Sequence, residues 1–303
     1  PDVPDTYYAN NMGWYQALQQ SHIPCDAIFA EAMTPERLAA FKTLIVSDAA
    51  LLTAGECSLL VDWCEAGGHL MVTGSTATRD EWGRPVDDFG GLDEMLGLER
   101  KGARSGANAW GPDAGNRIRY DAAWPYELVV AIDGRAPDAR FDDGSPDPQT
   151  RAPAQFTREW GKGRVTYHCG HLLGHSFDGS KAIKALYRHY WDGFLDYIKS
   201  ETLPGAPDQH SLLPAVSSSA EPDNVEVAVR RQGGRLIIHL LNYDDVGPVT
   251  GMELSIPGRA GQRAFYPADG SDAQTEEWAR DRGMTITVRD FNHHCCIVIE
   301  PRL

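Results

Sequence analysis

The sequence predicts an α/β domain built on a parallel sheet, followed by a smaller antiparallel β-domain. Three observations carry this prediction. Short apolar runs alternate with amphipathic helical stretches from the N-terminus onward, the pattern of strands joined by helical crossovers. A stretch rich in Pro and Ser follows, from Leu203 to Pro222. Beyond it the apolar residues recur every second position, the period of half-buried strands. A length of 303 residues also exceeds one ordinary compact domain. The expected boundaries are therefore 1–202 for the α/β domain, 203–222 for a linker and 223–303 for the β-domain.

Taken in order, Gly13 to Gln20 has helical character, and Ile23 to Phe29 turns extended after Pro24. Thr34 followed by Pro35 reads as an N-cap with proline at the first helical position. Thr43 to Ser47 is a short apolar run of the buried-strand type. Thr53 then caps a helix whose Leu59, Leu60, Trp63 and Cys64 recur at helical spacing, stopped by Gly67-Gly68. His69 to Gly74 is the next strand. Residues 99–160 are irregular, rich in Gly, Pro, Asp and Arg, with strands expected only at Glu127–Ala131 and Gln155–Trp160 and a solvent loop at Asp142–Pro148. Gly161 to His168 reads as a turn entering a core strand. Ser180 to Ile198 is a long amphipathic helix with Ile183, Leu186, Tyr190, Phe194 and Tyr197 on one stripe. In the last part, strands are expected at Val225–Val229, Leu236–Leu241, Met252–Ile256, Met284–Val288 and Cys295–Ile299, with Gln232-Gly233-Gly234 as a hairpin turn.

A formal net charge of −15 excludes nucleic acid and anionic membranes as expected partners, because binding phosphate needs a basic face. A neutral sugar meets no such penalty. No segment approaches the apolar length of a membrane span. The cysteines at positions 25, 57, 64, 169, 295 and 296 lack the spacing of a disulfide framework or a zinc site. They read as small buried hydrophobes of a protein from a reducing compartment, which points to the cytoplasm. No glycine-rich phosphate loop is present, so no nucleotide cofactor is implied, and the spacings of His168, Cys169, His171 and His175 match no standard zinc-ligand pattern, so neither a cofactor nor a metal is expected. The opening Pro-Asp-Val-Pro, without initiator Met or leader pattern, suggests a fragment or processed product whose chemistry precedes Pro1.

Three stretches carry a resemblance: GWYQALQQSHIPCDAIFAEAMTPERLAAFKTLIVSDAALLTAGECSLLVDWCEAGGHLMVTG, STATRDEWGRPVDDFGGLDEMLGL and REWGKGRVTYHCGHLLGH. Together they resemble the glutamine-amidotransferase-like trimerisation domain of family 42 β-galactosidases and related glycoside hydrolases. VRRQGGRLIIHLLNYDD is similar to the β-domain that follows in those proteins. The resemblance implies a flavodoxin-like (class I glutamine-amidotransferase-like) parallel sheet with helices on both faces and then a small β-sandwich. It further implies a non-catalytic accessory and oligomerisation role, most simply as a homotrimer. The sugar chemistry would belong to an N-terminal catalytic barrel whose carboxylates are absent here.

The candidate residues fall into two groups. Class I amidotransferases place a Cys on a sharp strand-to-helix elbow and a His-x-Glu after a later strand. By pattern the elbow falls on Gly74-Ser75-Thr76-Ala77, with hydroxyls and no thiol, and the later strand ends His168-Cys169-Gly170-His171, with no Glu two residues beyond either His. No catalytic residue is therefore expected. The alternative keeps Ser75, His168, Cys169 and His171 as a hydrolase or sugar-binding site built on the His168–His175 cluster, and GKGRV with the later Gly170-His171 also resembles trehalose-utilisation-type proteins; against it stands the reading of the cluster as polar side chains hydrogen-bonded at a loop. The second group is Glu81 and Trp82, within Asp80-Glu81-Trp82-Gly83. An exposed Trp beside carboxylates suits a sugar platform, a wall of a neighbour's cleft or a subunit contact, and the loop context favours the contact. A carbohydrate-binding row in the β-domain would need Tyr243, Phe265 and Tyr266 exposed. His293-His294 is expected at the mouth of a strand, without a ligand.

Overall fold

In a computed structural model of the chain, the described residues are 7, 10–15, 18, 25–111, 118–170, 217–218, 225–243, 247–256, 258–278 and 283–301. They divide into two compact units, the first holding residues 7, 10–14 and 27–170 and the second 15, 18, 25–26 and the described residues from 217 to 301. The expected helix Ser180–Ile198 and the residues His171 and His175 lie outside the described residues, as does most of the expected linker.

The first unit is a seven-stranded sheet in the order β1-β2-β7-β6-β5-β3-β4. Its strands are β1 (Thr43–Ser47), β2 (His69–Thr73), β3 (Leu98–Gly111), β4 (Ile118–Ala131), β5 (Ala139–Phe141), β6 (Pro153–Trp160) and β7 (Gly163–His168). β2 is buried along its whole length, as a central strand between two parallel neighbours must be. Helix α1 (Pro35–Leu38) starts at Thr34, whose side chain accepts the Arg37 N–H. Helix α2 (Ala54–Glu65) joins β1 to β2. The Thr53 and Glu56 side chains close a reciprocal capping box at its start, worth about 1 kcal/mol. Trp63 Nε1 donates to Leu38 O at 2.9 Å and ties α2 to α1. Leu60 and Cys64, two of the apolar positions expected on this helix, are fully buried, as is Cys57.

The sheet is mixed, which corrects the expectation of a parallel sheet. Only β1, β2 and β7 run parallel; β6, β5, β3 and β4 add antiparallel. The cause is local. Gly161-Lys162 reverses the chain tightly between β6 and β7, so no crossover is made. Residues expected to be irregular form a ribbon of two 14-residue strands, β3 and β4, with three register shifts. Those bulges and the Gly-rich composition break the two-residue alternation that strand recognition needs. The ribbon curls back, and Glu127 N donates to Cys169 O at 2.6 Å beside a bridge between Tyr126 and Gly170. Helix α3 (Asp93–Leu96) leads into β3 through Gly97, a left-handed cap.

The second unit holds two four-stranded antiparallel sheets, ordered β12-β15-β10-β9 and β13-β14-β11-β8. Their strands are β8 (Ser217–Ser218), β9 (Val225–Gln232), β10 (Arg235–Asn242), β11 (Glu253–Ile256), β12 (Gln262–Phe265), β13 (Gln274–Trp278), β14 (Gly283–Thr287) and β15 (His294–Pro301). The five expected strands are all present, and the chain reverses between β9 and β10 at Gly233-Gly234. Val227, Ile238, Leu254, Ile286 and Ile297 belong to one buried core shared by the two sheets, the packing of a β-sandwich. Ser217–Ser218, within the stretch expected to be a linker, pairs with β11. Tyr266 is buried in this core, while Tyr243 is exposed. On the outer face of β10 and β15, His239 Nδ1 and His294 Nε2 lie 3.1 Å apart. With centroids 5.4 Å apart and ring planes 15° from parallel, the rings meet edge to edge through an N–H···N bond, so at least one facing nitrogen is unprotonated.

Two predictions follow from these contacts. A Cβ at Gly163 would fall on the carbonyl oxygens of Cys64 and Gly68, both rigid backbone at the junction of α2, β2 and β7. Gly163→Ala should lower stability by about 3 kcal/mol, read as a lower urea midpoint at unchanged slope. The His239 imidazole is pushed below its ordinary pKa of 6.5 by desolvation, then by His294 and Arg230. Its neutral form is the one the fold favours, so that contribution is present above pH 6.5 and lost as pH falls through the lowered folded value. An NMR titration should place His239 below 6.5, and His294→Gln should move it back up.

Candidate functional site

The carboxyl ends of β1, β2 and β7 meet where parallel α/β sheets place ligands. The chain after β1 turns at Asp48, a buried residue with φ 50°. That left-handed conformation is tolerated by Asp better than by most side chains. The carboxylate points at the turn after β2. Its Oδ1 accepts the Ser75 N–H at 3.0 Å, and its Oδ2 accepts from the Thr73 hydroxyl at 3.4 Å and from Asn10 Nδ2. The elbow Gly74-Ser75-Thr76-Ala77 is thus held by a charge on a neighbouring strand end. Thr76 Oγ1 turns back to Thr73 O at 2.8 Å, and Thr78 Oγ1 donates to Ser75 O at 2.6 Å. Tyr167 OH donates to Gly74 O at 2.7 Å. Ala77 at φ 54° completes a sharp turn of the kind a nucleophile elbow uses.

The imidazole and thiol do not come to that elbow. His168 offers its backbone carbonyl to Gly74 N–H at 2.9 Å, while its ring is buried against Trp110 and Phe141 with centroids at 4.4 and 5.8 Å. Its Nδ1 accepts the Gly170 N–H at 3.2 Å. The Cys169 thiol is fully buried, and desolvation, then the charge of Glu127, pushes its pKa well up, so the thiolate that nucleophilic attack or metal binding requires is disfavoured. Among the described residues no three metal-ligating side chains converge.

Two charged residues beside this cluster went unrecognised in the sequence. Arg100 Nη2 and Glu127 Oε2 form an ion pair at 3.0 Å, with side chains only 13% and 9% exposed. Arg100 Nη1 also donates to Val86 O at 2.6 Å. The pair links the ribbon to the loop that carries the second group of candidates. Asp48 had a legible signal, an acidic residue directly after an apolar strand. Arg100 and Glu127 are 27 residues apart on strands whose register no local pattern reveals.

Glu81 and Trp82 sit at the tip of a built turn. Asp80 Oδ1 accepts the N–H groups of Trp82 at 2.9 Å and Arg84 at 2.8 Å, and Arg79 Nη1 donates to Gly83 O at 2.8 Å. Arg79 bridges to Leu51 on one side and Pro85 on the other. Trp82 is 73% and Leu51 55% exposed, so a rigid turn presents apolar surface to solvent.

In the comparison with known families, residues 2–193 match the one described as the beta-galactosidase trimerisation domain. The chain belongs to that family. Among solved structures, this trimerisation-domain chain resembles Gan42B, a GH42 beta-galactosidase from G. stearothermophilus, at 16% identity and TM-score 0.65, covering 98% of this chain and 36% of that one. The beta-galactosidase from Bacillus circulans sp. alkalophilus matches at 15% identity and TM-score 0.62, covering 96% and 37%. The alpha-L-fucosidase isoenzyme 2 from Paenibacillus thiaminolyticus matches at 14% identity and TM-score 0.66, covering 97% and 45%. These likenesses establish a shared fold. The chain thus spans less than half the length of each. Among curated proteins no sequence matches it.

The Asp48 contacts generate a prediction. Asp48→Ala removes the acceptor of two or more buried donors and places Ala at positive φ, and should cost about 3 kcal/mol. Asp48→Asn keeps one carbonyl oxygen and tolerates the turn, and should cost less than half of that. Parallel chemical denaturation of both variants checks the order.

Proposed function

We propose that this chain is the non-catalytic, self-associating region of a family 42 β-galactosidase-like glycoside hydrolase, with its catalytic barrel outside the chain. The observation that carries the reading is membership in the trimerisation-domain family, joined to an elbow that carries no thiol and is braced by Asp48. In this reading Ser75, His168, Cys169 and His171 do no chemistry, and Glu81 and Trp82 serve contacts. The partners are further copies of the same chain, forming a homotrimer, and the barrel; carbohydrate is the substrate class of the whole protein. The first unit is a flavodoxin-like, amidotransferase-like scaffold in which antiparallel strands replace part of the parallel sheet. The chain divides in this reading into an α/β domain over 1–202, a linker over 203–222, whose Ser217–Ser218 joins the second unit's sheet, and a β-domain over 223–303. Six free thiols support a reducing, cytoplasmic setting, and no helix among the described residues is long and apolar enough to cross a membrane.

Multi-angle light scattering tests this directly. The protein should show the mass of three chains at micromolar concentration, and the chain alone should release nothing from a chromogenic β-galactoside. A strictly monomeric mass at every concentration, or turnover abolished by Ser75→Ala, would refute the proposal.

A further inference from the structure

We infer that the second unit carries an open two-imidazole site for a divalent transition-metal ion of the zinc class, formed by His239 of β10 and His294 of β15. The inference goes beyond the proposed function and does not depend on self-association. Strand pairing fixes the two residues. β10 and β15 run antiparallel with His239 opposite Cys296 and Leu241 opposite His294, so the two histidines are diagonal neighbours. Leu236, Ile238 and Leu240 of β10 and Cys295, Ile297 and Ile299 of β15 turn into the sandwich core, which puts both imidazoles on the other face by alternation. There His239 is half-buried and His294 exposed, so an ion reaches them from solvent.

The distance between the two ring nitrogens suits chelation. Two imidazole nitrogens on one zinc ion, each at about 2.05 Å and subtending an angle between square and tetrahedral, lie roughly 2.9–3.3 Å apart. His239 Nδ1 and His294 Nε2 are 3.1 Å apart. Without metal, a single N–H···N bond spans that gap. An ion displaces the bridging hydrogen and releases no net proton: the neutral ring that carried it shifts through solvent to its other tautomer and offers a lone pair. Each ring then has only to turn about its Cβ–Cγ bond, a broad torsion, for the lone pairs to converge. Burial, then His294 and Arg230, holds His239 below its ordinary pKa, which keeps a competing proton off the ring at neutral pH. On β9, Arg230 shares this face and repels an ion, while Glu226 on the same face attracts it. Cys296, opposite His239, is not a third ligand here, because burial pushes its thiol up and away from the thiolate that metals take. Two donors leave the remaining coordination positions to water, in keeping with the lack of a three-ligand cluster among the described residues. Neutral imidazoles of this kind suit zinc, nickel and copper rather than calcium or magnesium.

Isothermal titration calorimetry of the full chain with zinc chloride, free of chelators and thiol reductants, tests the inference. The tightest-bound equivalent should have micromolar affinity. His239→Gln and His294→Gln should each weaken it about a hundredfold, because a lone imidazole loses the effective concentration supplied by its partner. Both substitutions lie outside the core, so each metal-free variant should keep the parent's urea midpoint. Cys296→Ser should bind like the parent. Long-range proton–nitrogen spectra of the zinc-loaded parent provide a readout that needs no variant: His239 should be bound through Nδ1 with its proton on Nε2, and His294 the reverse. A parent that takes up no zinc, histidine variants that bind as tightly as the parent, a Cys296→Ser protein that loses the ion, or ring nitrogens unmoved by zinc would overturn the inference.

Discussion

The carboxylate of Asp48 sets the character of the first unit. It sits at the carboxyl end of β1, where open α/β sheets commonly bind ligands, and its oxygens are taken up by the Ser75 amide, the Thr73 hydroxyl and Asn10. A buried charge is costly unless each such bond is made, and once made they fix the elbow in place. The sharp turn after β2 is thereby rigid, its backbone pinned from the β1 side by Asp48 and from the β7 side by the Tyr167 hydroxyl.

The same logic closes the other half of the strand ends. His168 is used as a core aromatic between Trp110 and Phe141, and Cys169 lies beneath the crossing ribbon, its carbonyl accepting the Glu127 amide. The antiparallel ribbon is what makes this possible. In an all-parallel sheet the end of β7 would open to solvent, but here β4 bridges to Gly170 and the Arg100–Glu127 pair locks the crossing. The exposed apolar side chains of the unit lie away from the strand ends just described and include Phe29, Trp82 in its turn, and Val130 and Ile132.

Much of this was legible in the sequence, and the reasons for what was not are physical. The capping box at Thr53, the strand Thr43–Ser47 and the sandwich strands follow from local rules that act within a few residues. The ribbon of β3 and β4 did not, because its bulges break alternation and its glycines suppress strand propensity. The mixed sheet direction turned on a two-residue reversal at Gly161-Lys162 between two expected strands, which leaves no length for a helical crossover and so joins them antiparallel. Among site residues, Trp82 was recognised as exposed from its Gly- and Pro-containing loop, whereas the partners of Asp48 come from two distant segments, Asn10 and Thr73–Ser75, and needed the fold.

The central claim is that the surfaces of this chain act, while the strand ends only support them. Hydrogen exchange by mass spectrometry at protein concentrations on either side of the association midpoint measures it most directly. The account predicts added protection in peptides covering 79–88 at high concentration, with 74–78 and 168–170 already slow and unchanged. Protection that appears at 74–78 and 168–170 on adding a sugar, with no effect of concentration anywhere, would contradict it.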